Sequence, residues 1–237
     1  QLKSLPKSIC NLRKLNHLSC ISNRLTSVPK NIGNLNSLQE LWLGENRLQT
    51  LPTNIGKLTN LTNLGLGGNQ ISTVPREVGN LESLEKFTLE QNPLREIPCS
   101  LSGLKNLVRF GIADAQLYTL PPLFSHMKKL ELLFLYNSNL TSIPTDVGEL
   151  ISLNKLVLSN NQLEFLPDEL HKLHELKNLD LSSNTFTHLP PCVGGMISLN
   201  EIIVTDNPLS EYTVREIGGL VEEERLHRVE SLVADLD

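Results

Sequence analysis

His171 and His174, in the stretch ELHKLHEL, have the spacing that comes closest to a metal site in this sequence. They lie three residues apart, beside Glu169 and Glu175, so one helical turn would place both imidazoles on the same side. A zinc ion needs three or four converging ligands, and the sequence contains neither an HExxH motif nor paired cysteines. We therefore interpret the histidines as solvated surface residues and predict no metal and no cofactor.

A cluster of glycines, Gly65, Gly67 and Gly68, could in principle approach a phosphate group closely. The cluster lacks the lysine of a phosphate-binding loop and does not stand between a strand and a helix. With neither a metal site nor a phosphate loop, the sequence predicts that the chain is not an enzyme.

Side chains suited to protein recognition recur at one position of a regular pattern. Leu132, Phe134 and Tyr136 alternate along one predicted strand, so they share a face, and Arg109 belongs to the strand before. Exposed aromatic and arginine residues are typical of the energetic centres of protein interfaces. The residues that we predict to bind a partner are Trp42, Arg109, Asp114, Leu132, Phe134, Tyr136, Val157 and Ile203.

A structural interpretation of the two ring residues remains open beside this one. Trp42 aligns with Gly65 on the next predicted strand, and Phe134 aligns with Gly111 on the preceding strand. Each ring could therefore cover the bare backbone of a glycine instead of contacting a partner.

The elements that position these residues follow from a repeat of 23 residues. Prolines fall 23 positions apart at Pro6, Pro29, Pro52, Pro75, Pro98, Pro121, Pro144, Pro167 and Pro190. An unbroken period of this length indicates a solenoid in which each repeat packs against its neighbours.

One repeat, LQELWLGENRLQTLPTNIGKL from Leu38, shows what each position does. Its L-x-L segment predicts a short strand with Leu41 and Leu43 inside and Trp42 on the free face. The proline starts a return segment whose apolar residues suit a helical turn that points inward. Five glycines share one position on that segment, where we expect a tight or left-handed backbone: Gly33, Gly56, Gly79, Gly148 and Gly194.

An asparagine recurs after each strand and predicts an internal ladder of side-chain hydrogen bonds. Its members are Asn23, Asn46, Asn69, Asn92, Asn161, Asn184 and Asn207. Ala115, in the stretch FGIADAQL, and Ser138 interrupt it, and Asn137 is the side chain that could compensate. Because the predicted aromatic residues lie in these same repeats, we hypothesise that repeats five to seven form the binding surface, with sequence drift as the alternative.

The form LxxLxxLxLxxNxLxxLPxxIGN resembles the Ras-group class of intracellular leucine-rich-repeat proteins, which includes Scribble, Erbin and scaffolds of small-GTPase signalling. The resemblance implies an α/β fold: a curved, horseshoe-shaped leucine-rich-repeat solenoid with a parallel sheet on its concave face and short helices or 3-10 turns on its convex face. It also implies a cytoplasmic protein that binds a protein partner, such as a small GTPase, a phosphatase or a kinase, on the concave face.

The predicted organisation is a repeat array over residues 1–209 and carboxy-terminal capping helices over residues 210–237. Thr213 and Glu216 suggest a capping box, and Leu226, Val229, Val233 and Leu236 recur at helical spacing. The first repeat lacks its strand, so we expect the chain to be part of a longer protein, and we expect a monomer.

Charge and cysteines narrow the classes of partner and compartment. The 21 basic and 26 acidic residues argue against a nucleic-acid partner, and no apolar run predicts a membrane span. On the predicted strand face of the first six repeats, acidic residues outnumber basic ones, which favours a partner with a basic surface. The acids are Glu40, Glu45, Glu85, Glu90, Asp114 and Glu131, against Lys86 and Arg109.

Two functional alternatives to an intracellular interaction scaffold remain. The array could be the targeting domain of a larger enzyme or of a secreted bacterial effector. It could also be a receptor ectodomain, an interpretation that the glycosylation sequons at Asn60 and Asn139 favour. The four cysteines lie at different positions of the repeat, and the absence of terminal cysteine clusters favours a reducing compartment.

Overall fold

A computed structural model describes residues 1–211, 213 and 228–230 of the chain. Each 23-residue coil of the solenoid contributes one three-residue strand, and these strands, with one further strand that begins 27 residues after the start of the ninth, form one parallel sheet in sequence order. The strands are β1 His17–Ser19, β2 Glu40–Trp42, β3 Asn63–Gly65, β4 Lys86–Thr88, β5 Arg109–Gly111, β6 Leu132–Phe134, β7 Lys155–Val157, β8 Asn178–Asp180, β9 Glu201–Ile203 and β10 Arg228–Glu230. The predicted curved solenoid with a parallel sheet is confirmed.

The L-x-L pattern determines which side chains enter the core. Neighbouring strands pair without a shift, so Leu41 aligns with Leu64 and Trp42 with Gly65. Since side chains alternate along a strand, the leucines of every L-x-L segment stack in the interior while the middle residue stays on the sheet face. Leu41 and Leu43 are both fully buried. Phe87 and Phe110 replace leucines in this column and stack with ring centroids 5.6 Å apart.

The convex side consists of short 3-10 helices that begin after the recurring prolines. Pro52 has an extended backbone, and its carbonyl accepts the N–H of Ile55 at 3.0 Å, a bond that spans three residues. Ile55 and Leu58 are fully buried, as predicted. The described helices are Lys7–Asn11, Ile32–Asn34, Thr53–Lys57, Arg76–Asn80, Cys99–Gly103, Thr145–Glu149, Asp168–Lys172 and Pro191–Gly195.

The five glycines on the return segment lie in tight 3-10 turns, one of the two predicted possibilities, and not in a left-handed backbone, because none of the five has a positive φ. Four of them are needed for close packing instead: a Cβ on Gly33, Gly56, Gly79 or Gly148 would overlap a backbone carbonyl oxygen of the next coil. The left-handed residue precedes the ladder position in every coil, with φ between 49° and 68°. These residues are Ser22, Glu45, Gly68, Gln91, Asp114, Asn137, Asn160, Ser183 and Asp206.

The asparagine ladder forms two separate runs. Asn69 shows the pattern: its Oδ1 accepts the N–H of Leu48, and its Nδ2 donates to the carbonyls of Leu43 and Leu66. Because Asn46 and Asn92 also donate to these carbonyls, successive asparagines link neighbouring coils. The first run includes Asn46, Asn69 and Asn92, and the second includes Asn161, Asn184 and Asn207.

The interruption at Ala115 and Ser138 is not repaired by Asn137, contrary to the sequence-based suggestion. The Asn137 side chain donates to Asp114 at the surface instead. Ala115 is buried and has no side-chain acceptor, so the N–H of Leu94 donates to the carbonyl of Asn92 at 2.7 Å. The N–H of Leu94 is therefore bonded within its own turn and not to a side chain of the next coil.

The same coil is also irregular on its convex side. No 3-10 helix stands between β5 and β6, and the N–H groups of Phe124 and Ser125 donate to Asp146 Oδ2 at 2.7 and 3.3 Å. Asp146 belongs to the next coil, so a side chain replaces the carbonyl acceptor that the proline supplies elsewhere. Repeat five thus departs from the pattern on both sides of the solenoid.

The predicted carboxy-terminal helices lie mostly outside the described residues. Ser210 Oγ accepts the N–H of Thr213, and Thr213 is itself helical, so Ser210 occupies the capping position that we assigned to Thr213. Arg228–Glu230 form a strand parallel to β9, not a helix. Three extended residues at this end satisfy the backbone groups on the outer edge of β9, which a helix could not do. The partner of the predicted capping box, Glu216, lies outside the described residues.

Candidate functional site

The strands β5 and β6 bring Arg109 and Phe134 together on the concave face. Their positions are diagonal across the strand pair, since Arg109 aligns with Leu132 and Gly111 with Phe134. The guanidinium carbon of Arg109 lies 4.8 Å from the centre of the Phe134 ring, which is cation–π geometry. Both side chains are partly exposed, so the pair is formed in advance and remains accessible.

Glu90 covers Gly111, a role that the sequence suggested for Phe134. A Cβ on Gly111 would overlap Oε1 of Glu90 and lie 2.7 Å from its carboxyl carbon, and the three nearest atoms all belong to Glu90. Glu90 thus makes the closest approach to Gly111, while the Phe134 ring lies against the guanidinium of Arg109. The missing side chain at Gly111 provides room for a carboxylate against the sheet.

Asp114 and Tyr136 complete this group, which we call the central cluster: Glu90, Arg109, Asp114, Phe134 and Tyr136. Burial raises the pKa of Tyr136, and the negative charges of Asp114 and Glu90 raise it further. Asn137 donates to Asp114, and both residues have the left-handed backbone. Because its pKa is raised, the Tyr136 phenol stays protonated, and it presents an O–H donor near the carboxylates of Asp114 and Glu90.

The electrostatics of the central cluster are not balanced inside the chain. Burial raises the pKa of Glu90, a backbone hydrogen bond and the charge of Arg109 offset this only in part, and the negative charge of Asp114 adds a smaller increase. Nε of Arg109 is buried and has no hydrogen-bond partner among the residues that the structure describes. Partly desolvated charges with incomplete pairing leave hydrogen-bonding capacity for a ligand.

Trp42 lies on Gly65, as the structural interpretation predicted, because a Cβ on Gly65 would overlap the indole and lie 2.8 Å from Cζ3. The ring is nevertheless partly exposed. Its Nε1 donates to Glu40 Oε2 at 2.9 Å, and His17 Nδ1 donates to the same oxygen at 3.0 Å. Trp42 therefore has a fixed orientation on the concave face.

Hydrogen bonds from Trp42 and His17 lower the pKa of Glu40. Because these bonds favour the ionised carboxylate, they persist above this lowered pKa and are lost as the pH falls through it. We expect the fluorescence of Trp42, the only tryptophan, to show an acid transition centred below the ordinary pKa of glutamate. The Glu40→Gln variant should lack this transition at unchanged circular dichroism; a transition that survives the substitution would contradict the assignment.

The other predicted binding residues are distributed along the face. Leu132 is partly exposed beside Arg109. Val157 is 8% exposed and thus offers little surface to a partner. Trp42 lies three strands from Arg109, and Ile203 lies three strands from Phe134, about 14 Å in each case at the usual strand spacing.

Glu90 is the cluster residue that the sequence-based prediction of binding residues did not include. It was noted there only as one acid among several. The signal that could have identified it is the size of its neighbours: Gly67 and Ala113 align with it on the flanking coils, and Gly111 lies on the adjoining strand. Small residues around one long acid leave space for the acid to lie flat on the sheet.

The histidines do not take part in a larger group of ligands. His171 Nδ1 donates to the carbonyl of Asp168 at 2.6 Å, so this imidazole bonds to the backbone of the 3-10 helix that contains it. Among the residues that the structure describes, no three His, Cys, Asp or Glu side chains converge as a metal site.

The repeats themselves match known sequence families. A profile described as "Leucine rich repeat" matches residues 151–209, and one described as "Leucine Rich repeats (2 copies)" matches residues 36–79. Together with the unshifted parallel sheet, these matches decide the fold. The chain is a leucine-rich-repeat solenoid. No curated protein sequence matches it significantly.

Solved structures show similar leucine-rich-repeat solenoids. A leucine-rich-repeat protein of Leptospira interrogans is 32% identical with a TM-score of 0.91, over 98% of this chain and 58% of that protein. The ectodomain of the Arabidopsis thaliana receptor kinase GASSHO1/SCHENGEN3, in complex with CASPARIAN STRIP INTEGRITY FACTOR 2, is 29% identical with a TM-score of 0.72. The similarity covers 86% of this chain and 28% of the receptor chain.

The plant peptide hormone receptor RGFR1, in complex with RGF2, is 26% identical with a TM-score of 0.68, over 86% of this chain and 42% of the receptor. The chain thus spans less than two thirds of the length of each of these proteins. Leucine-rich-repeat domains in general serve protein recognition. In the described part of this chain, no helix is long and apolar enough to cross a membrane.

Proposed function

We propose that this leucine-rich-repeat solenoid is an interaction module that binds a protein partner on its concave face through the central cluster. The observation that carries the proposal is the stacking of Arg109 on Phe134 at 4.8 Å within a group of incompletely paired charges. Arginine, tyrosine and aromatic residues on a rigid, partly exposed surface are the composition of interface hot spots.

The sheet supplies the rigidity that such a site needs. Strands on both sides of the cluster pair in register, and the leucines beneath it are fully buried. A partner that contacts Arg109 and Phe134 therefore does not have to order these side chains first, which reduces the entropic cost of binding.

The test is affinity capture from a native lysate with wild-type protein and two variants. Phe134→Asp should reduce capture of the specific partner by about 30-fold or more, because a hot-spot loss of 2 kcal/mol or more is expected. Phe165→Asp is the matched control: Phe165 is 61% exposed and lies after β7, outside the sheet, so capture should persist. Equal capture by both variants, at unchanged melting temperature, would refute the proposal.

The class of partner and the compartment are finer parts of the same proposal. The 23-residue repeat form supports membership of the Ras-group class, related to Scribble and Erbin, with a small GTPase, a phosphatase or a kinase as partner. The four cysteines are free thiols, which supports a cytoplasmic, reducing environment. We further propose that the array comprises residues 1–209, that the remaining residues cap it, and that it acts as a monomer.

A second candidate is a peptide-binding domain of a larger receptor or effector. It is favoured by the similarity to a receptor-kinase ectodomain in complex with CASPARIAN STRIP INTEGRITY FACTOR 2, to a peptide hormone receptor in complex with RGF2, and to a Leptospira protein that is longer than this chain. Glycan at Asn60 or Asn139 of the natural protein would support the receptor form. A catalytic domain in the same polypeptide would support the targeting form.

A further inference from the structure

A second feature of the concave face lies on β2 to β4, beside the central cluster. It is a pocket of about 290 Å³ whose lining includes Trp42, Glu45, Gly65, Gly67, Gly68 and Glu90. We call it the glycine pocket. Gly67 and Gly68 leave the backbone of the pocket floor bare, whereas Gly65 is covered by the Trp42 ring.

One wall of the glycine pocket is an oriented indole. Trp42 rests on Gly65 and its indole N–H donates to Glu40, so the orientation of the ring is fixed before any ligand binds. The negative face of an indole is the strongest aromatic site for a cation. A ring held in this way needs no rearrangement to receive one.

The lining of the glycine pocket also includes two carboxylates, and that of Glu45 accepts the Ser22 hydroxyl at 2.5 Å. Glu90 Oε2 lies 3.7 Å from the place where Gly67 would have a Cβ, and Cγ of Glu45 lies 3.5 Å from the corresponding place at Gly68. Within the described ranges, no lysine, arginine or histidine nitrogen lies within 4 Å of either carboxylate. The glycine pocket therefore combines negative charge with an aromatic face and contains no cation of its own.

We propose that the glycine pocket binds a lysine or arginine side chain of the protein partner. The inference rests on the proposed function, since this side chain would come from the protein that contacts the central cluster. The ammonium or guanidinium group would lie between the Trp42 ring and the Glu90 carboxylate. Its methylene stem would pack on the partly exposed backbone of Gly67 and Gly68.

The surrounding charge selects this occupant over an anion. Exposed or partly exposed acids flank the glycine pocket, among them Glu40 and Glu85, and β2, β3 and β4 together carry one basic residue, Lys86, which is outside the pocket lining. A phosphate or carboxylate ligand would meet these charges with no lysine or arginine in the pocket lining. A basic segment would instead be attracted before contact and held after it.

The experiment uses Trp42 as the reporter, because it is the only tryptophan of the chain. The probe is the peptide acetyl-Gly-Gly-Arg-Gly-Gly-amide, and its citrulline analogue has nearly the same shape without the charge. We expect a saturable change in tryptophan emission with the arginine peptide and at least about tenfold weaker binding of the citrulline peptide. Added salt should weaken the arginine complex.

Variants assign the response to the glycine pocket. Glu90→Gln should weaken arginine-peptide binding by about fivefold or more, and Glu45→Gln should weaken it by a smaller factor. Glu131→Gln removes the same charge from an exposed position outside the pocket lining and should leave the affinity unchanged. Circular dichroism confirms that each variant is folded.

Three results would overturn the inference: no saturable change with the arginine peptide, an equal change with the citrulline peptide, or the same affinity in both glutamine variants of the pocket. The outcome is independent of the Phe134→Asp capture experiment. If capture is lost but no peptide binds, only the glycine pocket is misassigned. If the peptide binds but capture persists, the central cluster is not the partner site.

Discussion

Replacing Gly79 with alanine is expected to destabilise the protein by about 3 kcal/mol. The new Cβ would overlap the carbonyl oxygen of Ser100 and lie 2.7 Å from its carbonyl carbon. Because this obstacle is the backbone of the next coil, no side-chain rotation can relieve the overlap. The coils Arg76–Asn80 and Cys99–Gly103 would have to separate, which disrupts the packing on both sides.

The measurement is the urea midpoint of unfolding, with Ser102→Ala as the matched control. Ser102 occupies the same position one coil later, already carries a Cβ, and faces the coil that lacks a 3-10 helix. Its substitution should change the free energy of unfolding by less than about 0.5 kcal/mol. Alanine also lowers the entropy of the unfolded chain, so a stabilised Gly79→Ala variant would show that the coils are not in close contact there.

The Asn69→Ala substitution is expected to cost about 2–3 kcal/mol of unfolding free energy. Asn69 is only 8% exposed and makes three hydrogen bonds of 2.8–3.0 Å that join two coils. The carbonyls of Leu43 and Leu66 would keep a second asparagine donor, whereas the buried N–H of Leu48 would lose its acceptor. The orphaned N–H group accounts for much of the expected loss.

Asn60→Ala provides the comparison on the convex side. Asn60 donates a single exposed bond of 2.7 Å to the carbonyl of Asn36, so the same change of side chain should cost less than about 0.5 kcal/mol. Urea denaturation of both variants gives the two values. Similar losses would mean that the ladder does not stabilise the array beyond an ordinary surface hydrogen bond.

The sequence predicted the fold well because the residues that determine the strand and the return turn lie within each repeat. Leu41 and Leu43 enter the core through strand alternation, and Pro52 starts the return turn, so nine copies of one local pattern are enough. The same reasoning located Trp42 on Gly65 and Arg109 next to Phe134. It did not predict that four of the return-segment glycines pack so closely on the following coil that a Cβ would overlap its backbone.

The carboxylates show the limit of this reasoning. Glu90 and Asp146 look like ordinary surface acids in the sequence, yet Glu90 covers Gly111 and Asp146 binds the N–H of Phe124. Both contacts join residues 21 or 22 positions apart. The repeat that contains Glu90 does not show that the next coil has a glycine beside this carboxylate. Likewise, the repeat that contains Asp146 does not show that the preceding coil lacks a 3-10 helix there.

By itself, the sequence determined the solenoid, its period, the buried leucines and the interruption of the asparagine ladder, because these depend on patterns within one repeat. Only the tertiary structure decided which exposed side chains meet: the stacking of Arg109 on Phe134, the position of Glu90 and the bare floor of the glycine pocket. The physical reason is that the rotamer of a surface side chain depends on the space and charge that the adjoining coils provide, and these are known only from the folded structure.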